Sequence, residues 1–143
     1  MKKLIAFIIV FVTLKSMGFS QSDDGIIIHY DSVNFESYNK KFKLTRSINN
    51  LNSAIFVEVP FVDAAVGNTM VVEDKILGAR FELRVVDAFF NYNGDAVYLS
   101  EVDAYGDQWE ITVFNSVEMV NIWISTDFGA ISYTLLERKL KLK

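Results

Sequence analysis

The chain has no cysteine, one proline and one histidine in 143 residues. Without thiols there is no disulfide framework, no cysteine nucleophile and no thiolate metal site. With His29 as the sole imidazole, the common zinc ligand sets cannot be assembled. A Ser/His/Asp device would rest on that one residue, and no Gly-x-Ser-x-Gly turn is there to carry its serine. His29 follows Ile26-Ile27-Ile28 in a strand-like run and reads as a structural or surface histidine. There is no glycine-rich phosphate loop and no dinucleotide fingerprint, so no cofactor is expected. Apart from Pro60 nothing resembles a linker: no Gly/Ser-rich stretch, no block of one charge, no internal repeat. One domain follows.

The N-terminus carries the clearest signal. Lys2 and Lys3 precede an apolar run from Leu4 to Leu14, closed by Lys15 and followed by Ser16, Gly18 and Ser20. This is the layout of a secretory signal peptide over residues 1–20, cut after Ser20 or, as second choice, after Gly18. As a helix the run would reach about 16 Å, against about 30 Å of bilayer hydrocarbon, so it is too short to span. No later run is longer, and the mature chain, residues 21–143, is expected to have no transmembrane span. Export to the periplasm or the medium is the expected localisation. Loss of Lys2, Lys3 and Lys15 would leave 11 basic against 18 acidic residues, a net charge of −7. Such a surface disfavours non-specific binding to nucleic acid or to an anionic membrane.

The mature region reads as strands. Arg80-Phe81-Glu82-Leu83-Arg84-Val85 alternates without a slip, placing Phe81, Leu83 and Val85 on one face. Trp109–Val113 repeats the pattern, as does Lys139–Lys143, where lysines could guard an edge. Asn93-Gly94, Gly106-Asp107, Asn115-Ser116 and Asp127-Phe128-Gly129 supply turns. Residues 79–143 therefore predict five strands in an antiparallel meander. Gly25–Tyr38 is one long strand or a bent pair. Ala54–Val62 is a strand with Pro60 at an edge or bulge. Met70–Leu77 is strand or short helix, and Leu44–Asn52 is helical turn or loop. Val120, Ile122 and Ile124 oppose Trp123, and Phe56 opposes Ile55, Val57 and Val59, so several strands are apolar on both faces. The fold class is all-β with room for one short helix: eight or nine strands forming an incomplete barrel or a sandwich.

The candidate chemistry is sparse. Asn91, Asn93 and Asp95 have the spacing that opens a calcium loop, but Gly94 comes too early and position twelve is Val102, so the segment is a hairpin turn. Glu101, Asp103, Asp107 and Glu110 cluster around a turn, with Glu101 and Asp103 on one face of a single strand and the other two after it. A carboxylate-based hydrolase would use Glu101 and Asp103 across a cleft. Asp87, set among apolar neighbours, would need Arg80 or Arg84 if buried. The candidate ligand-binding residues are aromatic: Tyr98, Trp109, Trp123, Phe128 and Tyr133 could line an apolar pocket or a flat sugar platform, or fill a core.

The segment from Asn121 to Leu135 resembles a hairpin of periplasmic carrier proteins of the lipoprotein-localisation class. In these a Trp-containing strand enters an Asp-x-Gly turn and an apolar strand returns; the matching elements are Trp123, Asp127, Gly129 and Ile131–Leu135. The resemblance implies an incomplete β-barrel around an apolar cavity that shields lipid chains. The expectation is thus a non-enzymatic exported protein binding an apolar ligand or an envelope protein. A carbohydrate-binding or envelope-assembly module, marked by coplanar exposed rings such as Trp123 and Tyr133, is the alternative.

Overall fold

A computed structural model describes residues 20–22, 25–115 and 118–136. The proposed signal peptide and the Lys139–Lys143 strand lie outside these residues. Among the described residues there are nine strands: β1 (Ser20–Ser22), β2 (Gly25–Tyr38), β3 (Leu44–Pro60), β4 (Thr69–Asp74), β5 (Ala79–Phe90), β6 (Ala96–Ser100), β7 (Gln108–Val113), β8 (Met119–Thr126) and β9 (Gly129–Leu136). Each pairs antiparallel with the next, and β2 also pairs with β9. The sheet therefore closes on itself as an eight-stranded barrel, β2 to β9. The short β1 pairs with Gly25–Ile27, the part of β2 that β9 does not reach. The five-strand meander from residue 79 is as the alternation predicts.

Closure depends on β2. It pairs with β3 along its whole length and with β9 from Ser32 to Tyr38. Three register shifts against β3, at 30–32, 33–35 and 37–38, let it bend between its partners. Leu44–Asn52, expected as helical turn or loop, is instead the first half of β3. The pairing with β2 overrides a weak local preference. The strand expected over Ala54–Val62 is its second half but ends at Pro60, where a missing N–H costs no ladder bond, and Val62 opens a 3-10 turn. Met70–Leu77 resolves into β4 and the turn after it.

The apolar alternation points inward. Ile26, Ile28, Tyr30, Val57, Ile111 and Ile122 belong to one buried cluster inside the barrel. Glu58, Glu73, Glu82, Arg84 and Glu110 alternate with inward residues and face out. A barrel embedded in lipid has the reverse arrangement. Asp87 also faces out and is exposed. It needs no buried partner, because the β5–β6 register shifts between Val85 and Asp87, so that Val86 and Asp87 both leave the core face.

The two ends differ. One is closed by residues 61–68, which hold a 3-10 turn at Val62–Ala64 and the fully buried Ala65. Gly67 N donates to Val85 O at 2.9 Å and Val85 N to Asn68 O at 2.9 Å, tying the end of this segment to β5 as an extension of the β4–β5 ladder. Tyr98, buried beneath it, donates its hydroxyl to Pro60 O at 2.7 Å. The Asn91–Asp95 hairpin, a turn as expected, lies at the same end; Gly94 takes φ of 85°. Asp95 there is buried, its Oδ1 accepting from Asn115 N at 2.9 Å.

At the other end, the turn between β8 and β9 presses on the start of the β2–β3 turn. Gly129 has φ of 140°, and a side chain there would collide with the backbone of Tyr38 and Asn39. Gly129→Ala is expected to cost ~2 kcal/mol or more, read as a lower urea midpoint. An unchanged midpoint would mean that this contact is not made.

Candidate functional site

The open end holds a cavity because β6 is short. It stops at Ser100, while β5 runs on to Ala79 with no β6 partner beyond Val85. Ser100 is fully buried and its Oγ accepts from Trp109 N at 2.9 Å, which seats the start of β7 against the end of β6. Gln108 Nε2 adds a bond to Ser100 O at 3.0 Å. Across the resulting gap Phe81 reaches Trp109, with ring centroids 5.0 Å apart and planes at 42°.

Phe81 and Trp109 form one wall of a cavity of about 240 Å³. Tyr133 and Leu135 of β9, Ile122 and Ile124 of β8, and Ile55 and Val72 line the rest. Phe35 of β2 packs on Tyr133, with centroids 5.3 Å apart. Polar groups are few. Asp74 stands at the rim, its Oδ1 accepting from Ile76 N at 2.9 Å and Leu77 N at 3.0 Å, which fixes the β4–β5 turn and brings Leu77 over the mouth. Tyr133 brings a phenol whose pKa burial raises above its ordinary 10.0.

The five aromatic candidates separate. Trp109 and Tyr133 meet in the cavity. Tyr98 is inside the barrel but fills the closed half. Trp123 faces outward, opposite Ser132, and packs on Tyr38 with centroids 5.4 Å apart and rings tilted by 36°. Phe128, at the β8–β9 turn, is 83% exposed. Trp123 and Tyr133 point to opposite faces of the wall, so the coplanar platform expected of a sugar site does not form from them. Phe81 and Leu77 were missed as lining. Alternation turns Phe81 inward, but only the early end of β6 exposes it to a cavity.

The polar candidates take up other positions. His29 stacks on Phe56 on the outer face, with centroids 4.7 Å apart. Glu101 and Asp103 are not on one strand. They lie in the β6–β7 loop, where Asp103 Oδ1 accepts from Tyr105 N at 2.8 Å and Asp107 N at 2.9 Å. Glu101 is exposed. Desolvation, then the nearby Asp103 and Asp127 carboxylates, raise the pKa of Asp107. Asp107, Asp127, Tyr38, Tyr105 and Phe128 border a second, shallow groove. Among the described residues no cluster of three or more His, Asp and Glu could hold a metal ion.

No protein family, curated protein or solved structure matches the chain. What the structure shares with the resemblance at 121–135 is a β-barrel, closed here rather than incomplete.

Tyrosine ionisation checks the burial of these groups. Tyr98 and Tyr133 are expected to ionise above the ordinary 10.0 because burial disfavours the phenolate. An unfolded chain would release both protons near that ordinary value. Their contribution to stability is therefore complete below about pH 10 and declines as pH rises above it. Absorbance titration at alkaline pH should show a late-ionising fraction that shrinks in Tyr98→Phe. A single transition near pH 10 in the folded protein would contradict the burial.

Proposed function

We propose that this is an exported, non-enzymatic binding protein that holds a small apolar group in the open mouth of its barrel. The observation that carries the reading is the cavity between Phe81, Trp109 and Tyr133, continuous with the apolar interior. Its volume of about 240 Å³ exceeds the ~150 Å³ cavity that takes benzene. It falls below the roughly 300 Å³ at which drug-sized sites begin. The fit is one ring or the end of an acyl chain. Asp74 and Tyr133 offer the few polar groups that orient such a ligand. The groove beside Phe128 and Tyr105 gives no comparable enclosure, since those rings are 83% and 84% exposed.

Charged residues on the outer wall support a barrel surrounded by water. Export is the reading of residues 1–20, and the periplasm or the medium the compartment it implies. Lipid-chain shielding, implied by the likeness to lipoprotein carriers, agrees with the lining and makes acyl chains the first ligands to try.

Fluorescence separates the two tryptophans. Trp109 lies in the cavity and Trp123 outside it. A medium-chain fatty acid added to delipidated protein is expected to shift the emission of the Trp123→Phe variant and leave that of Trp109→Phe unchanged. Phe81→Ala removes one wall and is expected to weaken binding by about tenfold, the ~1.4 kcal/mol that a lost aromatic contact readily supplies. Equal responses from both tryptophan variants, or no response from either, would reject the cavity as the site.

A further inference from the structure

The seven Lys and Arg residues between positions 20 and 136 all lie on two hairpins, β2–β3 and β4–β5. On β4–β5, Lys75 pairs with Glu73 at 2.7 Å, and Arg80 sits 3.2 Å from Glu82 and 3.6 Å from Glu73. The β2–β3 hairpin differs. Residues 39–52 contain Lys40, Lys41, Lys43 and Arg46 and no carboxylate. Among the described residues none of these four has an ion-pair partner.

The same tip carries apolar side chains into water. Phe42 is 67% exposed and Leu44 54%. Phe42 has φ of 58°, a left-handed conformation that costs a bulky residue energy and that glycine adopts freely. The turn is nevertheless well built: Asn39 Oδ1 accepts from Lys41 N at 2.9 Å and Lys43 N at 3.1 Å, and Phe42 N donates to Asn39 O at 2.9 Å. A strained, exposed phenylalanine between lysines serves no packing purpose within the fold, and such outliers mark functional segments.

Position gives the tip its meaning. β4 pairs with β3 only over Ile55–Glu58, so the first half of β3 has β2 as its one described neighbour and the hairpin projects past the β4–β5 turn. That turn borders the cavity mouth and shows Ile76 and Leu77 at 63% and 79% exposure. The hairpin, the mouth and this turn are all at the open end.

We propose that the β2–β3 tip docks the open end of the barrel onto a bilayer containing anionic phospholipid, with Phe42 and Leu44 in the interface and Lys40, Lys41, Lys43 and Arg46 on the phosphates. Charge complementarity selects this occupant: lysines flanking an aromatic ring match headgroup phosphates above acyl chains. The proposal rests on the cavity reading for what docking would deliver, an apolar ligand exchanged with the bilayer. The contact itself uses other residues.

Vesicle flotation tests it, using purified protein whose N-terminus is read by mass spectrometry, so that every variant is compared in the same processed form. Binding is expected to vesicles of equal phosphatidylglycerol and phosphatidylcholine, and at least tenfold weaker to phosphatidylcholine alone or in high salt. Lys40→Glu/Lys41→Glu/Lys43→Glu should lose at least tenfold in affinity for the anionic vesicles. Phe42→Gly should lose severalfold while its thermal midpoint stays or rises, because the strain is relieved. Both variants should bind fatty acid in vesicle-free solution as the parent does, so loss of docking and loss of the cavity are read separately. Undiminished vesicle binding by the variants, or none by the parent, overturns the proposal. Retention on an acidic polypeptide without vesicle binding also overturns it, in favour of an acidic protein partner.

Discussion

The pairing of β2 with β9 is the constraint on which the rest of the molecule depends. One strand must serve β3 on one side and, on the other, first β1 and then β9. Without the second half of that arrangement the meander would be an open sheet with one apolar face in water. With it, Val33 meets Leu135 and Phe35 meets Tyr133, and inward side chains of all eight strands share one interior. The register shifts that bend β2 against β3 are thus part of the closure rather than irregularities in it. A closed barrel also leaves few strand edges free to pair with another chain.

Closure alone would give a barrel filled from end to end. The asymmetry comes from two local features. At one end the β3–β4 connection folds inward, and the Tyr98 hydroxyl satisfies the Pro60 carbonyl beneath it. At the other, β6 ends early, its last serine is spent on the backbone of Trp109, and the gap is bridged only by two aromatic rings. The interior is therefore packed where the polar bonds are satisfied and hollow where strand length runs out. The loops at the hollow end carry several exposed apolar groups, among them Phe42, Leu77 and Phe128. An apolar space with an apolar rim around it is what the proposed exchange of a ligand at that end requires.

Much of this was legible in the residues. The alternation at Arg80–Val85 and Trp109–Val113 identifies strands and their inward faces, and Asn93-Gly94 and Asp127-Phe128-Gly129 place turns correctly. These are local signals with a period of two. What escaped depends on distant partners. Leu44–Asn52 is polar and without clear alternation, and it becomes strand because β2 lies beside it. Asp87 is carried outward by a register shift that no neighbour of Asp87 announces. Of the five aromatic candidates, Trp109 and Tyr133 converge because β8 pairs with both β7 and β9 and sets both rings on its inward face. The outward turn of Trp123 was already implied by its alternation with Ile122 and Ile124. Phe81 became part of the lining through the length of another strand, which its own sequence does not encode.

The central claim, an apolar space between Phe81, Trp109 and Tyr133 in a barrel closed by β2 and β9, is open to direct observation. Crystals pressurised with xenon report apolar cavities without reference to any biological ligand. A xenon atom is expected within van der Waals distance of those three rings, with β2 and β9 paired from Ser32 to Tyr38. Absence of xenon there, with the rings collapsed on one another or the two strands parted, would contradict it.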